Sequence, residues 1–190
     1  PSVGCLIVKN NKILSFGQTG FNGRPHAEFE AIKKCKKKDL KGSSIYITME
    51  PCTHYGKTPP CTNLIIKSKI KEVIYSINDS DKRTNNKAYP LLKLKKIIVS
   101  KGLLKSEAKK IYKNYFLHKK IKKPYIAAKI ACSNDYFISS KNKFITNQYS
   151  RGVSHLLRYH FDSILVSSKT ANSDNSKLTC RINGLENHSP

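Results

Sequence analysis

The chain has no tryptophan and one methionine, and only 12 acidic residues stand against 36 basic ones, for a formal charge of +24. No apolar run approaches the ~20 residues that a membrane-spanning helix needs. The opening Pro1-Ser2-Val3-Gly4 also lacks the charged-then-apolar layout of a signal peptide. The expectation is a soluble, cytoplasmic protein with no membrane partner. The sequence does not begin with methionine and opens inside a strand-like run, as expected of a fragment. Its six cysteines, without a secretory signal, do not make a disulfide framework, which leaves metal ligation or buried free thiols. What is present is ordinary: 190 residues, 38% hydrophobic and 25% charged, enough for one or two small cores and unlike a disordered chain.

The positive charge invites a nucleic-acid reading, because basic surfaces neutralise phosphates and release counterions. Its composition argues otherwise. Only Arg24, Arg83, Arg151, Arg158 and Arg181 are arginines; the other basic residues are lysines, accompanied by abundant Ile and Asn. That bias is what an AT-rich coding sequence imposes. Lysine is also the weaker tool for bidentate phosphate and guanine recognition. A solvated lysine surface with an anionic small-molecule substrate is expected, and no nucleic-acid partner.

Val3 to Val8 and Ile13 to Phe16 flank Asn10-Asn11 as a β-hairpin. His26 to Lys37 reads as a helix, Ser44 to Thr48 as a strand, Asn63 to Lys69 as a helix and Glu72 to Ile77 as a strand. A short helix from Ala88, a strand at Lys96 to Ser100 and a helix at Lys105 to Phe116 follow. This alternation predicts an α/β domain with a mostly buried sheet. The charged, Pro-terminated run from His118 to Pro124 predicts a boundary: a first domain over 1–118, a linker over 119–124 and a smaller, incomplete domain over 125–190. In that second domain Tyr125 to Ala131 and Ser163 to Ser167 read as strands around a helix at Asn147 to Phe161.

The chemistry is concentrated in His26-Ala27-Glu28, Pro51-Cys52 and Cys61. One imidazole and two thiolates make a three-ligand zinc site whose fourth tetrahedral position is open to water, which zinc acidifies. Glu28, two residues past the histidine and not a ligand, is placed to accept a proton from that water and return it to a leaving amine, as hydrolytic deamination requires. A His-x-Glu alone is a common accident; the conjunction with Pro-Cys and a second cysteine is not. A structural zinc site would need a fourth protein ligand, and His54 is the nearest candidate. Cys5, Cys35, Cys132 and Cys180 fall on apolar or strand-like segments and read as free thiols.

The stretch from Pro1-Ser-Val-Gly-Cys5 through His26-Ala-Glu28 to Thr48-Met-Glu-Pro-Cys-Thr-His-Tyr-Gly-Lys-Thr-Pro-Pro-Cys61 closely resembles the deaminase domain of the bifunctional riboflavin-biosynthesis deaminase/reductases. The eight residues Thr53 to Pro60 between the cysteines discriminate it from nucleic-acid and free-nucleoside deaminases, which typically carry two. Beyond Pro124, Tyr-Ile-Ala-Ala-Lys-Ile-Ala-Cys-Ser-Asn-Asp, Phe144-Ile-Thr and Leu178-Thr-Cys-Arg181 resemble the family's reductase domain.

The resemblance implies a cytidine-deaminase-like α/β/α zinc domain, followed by an incomplete dihydrofolate-reductase-like α/β domain. It implies deamination of 2,5-diamino-6-ribosylamino-4(3H)-pyrimidinone 5′-phosphate, then NADPH-dependent reduction of the ribosyl group to ribityl. Zinc falls to His26, Cys52 and Cys61, and the proton shuttle to Glu28. His54, Lys57, Thr58 and Asp79 fall to the ribose phosphate, Asn142, Arg158, Leu178 and Arg181 to the reductase substrate, and Ala131, Phe144, Thr170 and Asp174 to NADPH. Homo-oligomers are common in the family. Where its reductase turn has a glycine, this chain has Tyr136, and where it has tryptophan, Phe144. The chain stops before the turn that receives the cofactor pyrophosphate, so by this reading it can at most deaminate. A nucleic-acid or nucleoside base deaminase and a non-catalytic zinc-stabilised module are the alternatives.

Overall fold

The computed structural model describes residues 1–138 and 144–186. By contacts the chain divides into two compact units, Pro1–Tyr125 and Ile126–Pro190.

The first unit begins with the hairpin of β1 (Gly4–Lys9) and β2 (Lys12–Gln18). Asn10 and Asn11 both take positive φ, 48° and 56°, the two-residue turn whose twist suits paired strands and which asparagine tolerates. β3 (Ser44–Ile47) pairs antiparallel with β1, and β4 (Glu72–Tyr75) and β5 (Ile98–Lys101) then add in parallel. The sheet order is β2-β1-β3-β4-β5. Register aligns Ile7 with Ile45, Ile45 with Val73 and Val73 with Val99. The four form one buried row across the sheet.

Helices α1 (Ala27–Lys34), α3 (Cys61–Lys67) and α4 (Ala88–Leu94) supply Ala27, Ala31, Ile65, Ala88 and Leu92 to that core. Each fully buried Ile, Leu or Val side chain contributes about 1.5–3 kcal/mol. The close approach of α1 to the hairpin depends on Gly17, where a Cβ would lie 2.2 Å from the Ala27 carbonyl oxygen. A second cluster gathers Met49, Ile77, Ala108 and Tyr112, joining the segments after β3 and β4 to α5 (Lys105–Ile111) and α6 (Lys113–Ile121).

Three elements differ from expectation. The helix expected through Lys37 ends at Lys34; Cys35 is extended and buried, and a separate turn, α2 (Lys37–Leu40), follows. The helix expected over 105–116 is broken at Tyr112, and α6 continues to Ile121, into the run expected as a linker. In the second unit the described residues form α7 (Gln148–His160) and α8 (Ser168–Asp174), capped by Asn147 and Ser167. They form no strand: 125–131 and 163–167 lack a ladder. An apolar, β-branched run becomes a strand only when a neighbour takes its backbone N–H and C=O groups.

Candidate metal and active site

The site lies beyond the carboxyl ends of the parallel strands, where open α/β sheets bind ligands. His26 is the extended residue just before α1, so its side chain stands at that helix's start. The loop after β3 carries Pro51 and Cys52 across to α3, whose first residue is Cys61. The opening of α3 is built around Cys52: Thr62 donates through both its N–H (3.2 Å) and Oγ1 (3.1 Å) to the Cys52 carbonyl. The Cys61 N–H meanwhile points at Cys52 Sγ, 3.2 Å away.

His26 Nδ1 lies 3.2 Å from Cys61 Sγ and 3.6 Å from Cys52 Sγ. The three donor atoms are all within 4.8 Å of one another. Zn–S and Zn–N bonds in a tetrahedron set an N···S edge of roughly 3.6 Å, so spacing and donor chemistry fit zinc. Cys61 shares a proton with Cys52, holding the Cys52 thiol well below its ordinary range and its own above it. A metal ion between the two sulfurs would displace that proton and hold both as thiolates.

Glu28, the second residue of α1, is 4% exposed and faces Cys61. Burial pushes its carboxyl up, opposed chiefly by its backbone hydrogen bond. It is not in the three-donor group. A buried carboxyl beside a metal-ligand set, with a raised proton affinity, is suited to carrying a proton.

His54 is not a fourth ligand. It lies outside the donor group, and its Nδ1 shares a 3.1 Å hydrogen bond with Thr84 Oγ1. With Thr53 Oγ1 donating to the Arg83 carbonyl at 3.0 Å, this staples the loop between the cysteines to the loop after β4. Lys57 and Thr58 are exposed on the same loop, and the Thr58 carbonyl accepts from the Gly56 N–H at 3.2 Å. Thr58 also lines, with His26, Phe29, Tyr55, Cys61 and Leu64, a mostly apolar cavity of about 320 Å³ beside the donor group. Asp79 is half-buried and accepts from the Tyr115 hydroxyl at 2.9 Å.

The sequence reading missed Glu50 and Thr84. Glu50, 4% exposed, accepts from the N–H groups of Asp79 (3.2 Å), Asn86 (3.0 Å) and Ala88 (3.0 Å), and so fixes the loop that carries Asp79 and Thr84. Its one signal in the sequence is an acidic residue before Pro-Cys with no basic partner nearby. Thr84 had none.

In the second unit, Arg158 Nη1 donates to the Thr179 carbonyl at 3.1 Å, and the Arg181 N–H to His155 Nδ1 at 3.2 Å, around buried Cys180. Leu178 is half-buried with φ at 54°, and Ala131 is half-buried. Phe144 lies under the Arg151 guanidinium, 4.4 Å from its ring centre. Thr170 is spent on the start of α8, where its N–H bonds Ser167 Oγ. Asp174 is the last residue of α8, and Asn142 lies outside the described residues. No helix among the described residues is long and apolar enough to cross a membrane.

Residues 1–77 match the cytidine and deoxycytidylate deaminase zinc-binding region. The first unit is a cytidine-deaminase-like zinc-binding domain built on a mixed five-stranded sheet. The chain is 36% identical over 185 residues to the riboflavin biosynthesis protein RibD of Aquifex aeolicus, covering 96% of this chain and 52% of that protein. With RibD of Escherichia coli it shares 35% identity over 189 residues, covering 98% and 51%. Its structure is similar to the diaminohydroxyphosphoribosylaminopyrimidine deaminase/5-amino-6-(5-phosphoribosylamino)uracil reductase of Thermotoga maritima, with a TM-score of 0.86 at 36% identity over 96% of this chain and 53% of that one. The chain is thus a homologue of the RibD proteins, and spans about half the length of the curated relatives it matches.

Proposed function

We propose that the first unit performs the hydrolytic deamination of riboflavin synthesis, on the diaminopyrimidinone ribose phosphate that the family resemblance implies. The observation that carries the reading is the His26, Cys52 and Cys61 donor group with buried Glu28 against it. His26, Cys52 and Cys61 hold zinc, which when bound supplies the Lewis acidity that lets water attack near neutral pH. Glu28 takes the proton from the attacking water, passes it to the ring nitrogen and then to the departing amine; a C–O bond forms, the C–N bond breaks and ammonia leaves. His54, Lys57 and Thr58 on the stapled loop, and Asp79 beside it, are assigned to the ribose phosphate.

The proposed domain division is 1–118 and 125–190, joined by 119–124, a linker that begins as the last residues of α6. The last segment is the beginning of a reductase domain, in which NADPH would meet Ala131, Phe144, Thr170 and Asp174. Substrate there would meet Asn142, Arg158, Leu178 and Arg181. Similarity to RibD across 96% of the chain supports this. The protein is read as a cytoplasmic enzyme acting on a free small molecule, not on nucleic acid or at a membrane. Homo-oligomer formation is a matter for sedimentation velocity.

The test is ammonia release from the diaminopyrimidinone ribose phosphate, with zinc assayed on the same sample. Ammonia together with about one zinc per chain, as a three-ligand catalytic site implies, is expected. Zinc without ammonia would overturn the reading in favour of a non-catalytic zinc module.

A further inference from the structure

We infer that Arg24 is the phosphate anchor of this site, its guanidinium joining His54 over the backbone of Gly56 to take a phosphate monoester. This rests on the proposed deamination of a ribose phosphate. Arg24 ends the tight loop between β2 and α1. The Arg24 N–H donates to the Phe21 carbonyl at 3.3 Å, and the Gly20 N–H to the Pro25 carbonyl at 2.9 Å. A Cβ at Gly20 would stand 2.2 Å from the Arg24 carbonyl oxygen, so the loop closes only around a residue without a side chain.

That closure brings the guanidinium to the rim of the donor group, where Nη1 contacts His26 Nε2. Nη2 reaches the loop between the cysteines: a Cβ at Gly56 would lie 3.4 Å from Arg24 Nη2 and 3.9 Å from His54 Nε2. Two nitrogens from different segments therefore flank one open spot above Gly56.

Arg24 is half-buried, and among the described residues no carboxylate lies within 4 Å of it. A partly desolvated guanidinium with no counter-ion is costly unless an anion arrives, and its planar fork matches phosphate. His26 Nδ1 is the nitrogen facing both sulfurs, which leaves Nε2 toward Arg24 Nη1, while Nη2 stays directed at the spot above Gly56. His54 is held for the same task, since its Nδ1 is engaged by Thr84 and its Nε2 faces Gly56.

The experiment is titration of the zinc-loaded protein with ribose 5-phosphate and with ribose, followed by calorimetry and by phosphorus NMR, for wild type, Arg24→Gln, Arg24→Lys and Gly56→Ala. Wild type should prefer the phosphate. Arg24→Gln should lose about ten- to hundredfold in affinity for it, the worth of a charge-assisted pair, with ribose binding and zinc content unchanged. Arg24→Lys should recover part of the loss. Gly56→Ala, which fills the spot with a methyl at ordinary contact distance, should weaken phosphate binding without removing the charge. In the ammonia assay Arg24→Gln should raise KM and leave kcat within about threefold, the mark of lost ground-state binding.

Unchanged ribose 5-phosphate affinity in Arg24→Gln would overturn the assignment. So would a variant that binds phosphate normally once saturated with zinc, since Arg24 would then act only on His26. If the protein releases no ammonia but its phosphate preference still depends on Arg24, the deaminase reading fails and the anchor stands.

Discussion

The two units use the same kind of sequence to different effect. Among the described residues, every buried apolar side chain but Cys180 belongs to the first unit, where the row Ile7, Ile45, Val73, Val99 is closed over by three helices. The second unit has an equally apolar vocabulary, but Ile126, Ile130, Phe137 and Leu165 are exposed, Leu165 by 98%. Its helices are properly capped, so local signals suffice for them. What the first unit adds is long-range pairing: a sheet whose register turns period-two alternation into one buried face. Chemistry follows the same division, because loops held by a closed sheet can bring residues 26, 28, 52 and 61 together.

The sharpest way to break that comparison is to remove the proton carrier from the first unit. Glu28→Gln should lower kcat by about 10²–10⁴, the usual worth of a general acid-base, with zinc content and unfolding midpoint near wild type. Ammonia release and metal assay on one sample decide it. Activity near wild type would mean that the chemistry does not depend on the buried carboxylate.

Next comes stability. Ile45→Ala opens a cavity in the central row and should cost about 2–5 kcal/mol in urea unfolding, whereas Leu165→Ala should stay within about 0.5 kcal/mol. Equal costs would show that the second unit's apolar residues are buried in solution.

Much of the first unit was legible because its signals are local or periodic. The hairpin is announced by Asn10-Asn11, β3 and β4 by alternating Ile, Val and Tyr, and the donor group by residue types that rarely coincide. What escaped was decided by distant partners. Nothing near Cys35 breaks a helix: Lys36 to Lys38 are good helix formers, yet the chain turns there to bury Cys35 beside Leu40 in the core. The lysine-rich run after His118 looked like a linker because of its charge, although helix is permitted until the residues just before Pro124. The expected strands at 125–131 and 163–167 have the right composition, but among the described residues no strand pairs with them. Glu50 and Thr84 act through contacts 29 to 38 residues away in sequence, which no local pattern contains.

Glu50 gives a prediction of intermediate size. Its carboxylate is the acceptor for three backbone N–H groups, so Glu50→Ala leaves three donors without partners and should cost about 3 kcal/mol, reduced where water enters. Glu50→Gln, which keeps one oxygen but turns an NH₂ toward a donor, should cost less. Amide exchange should accelerate at Asn86 and Ala88 more than in β4. A uniform change across the sheet would mean that Glu50 supports the core and not the loop.

The smallest effect concerns where the first unit ends. Asp81 accepts from Arg83 at 2.7 Å and from Lys119 of α6 at 3.1 Å, which clamps the loop after β4 to the run that looked like a linker. The Arg83 hydrogen bond, with Lys119 assisting, holds the Asp81 carboxyl well below its ordinary value of 3.8. The folded state thus binds that proton less readily than the unfolded one. The clamp's contribution is complete above pH ~4 and is lost as the pH falls below that value toward the depressed one. Because Arg83 is largely exposed, solvent screening keeps it small. Urea midpoints of wild type and Asp81→Asn should therefore differ slightly at pH 7, wild type being the more stable, and draw together progressively as the pH falls below ~4. A gap that persists or widens in acid would mean that the charge on Asp81 is not what ties α6 to the first unit.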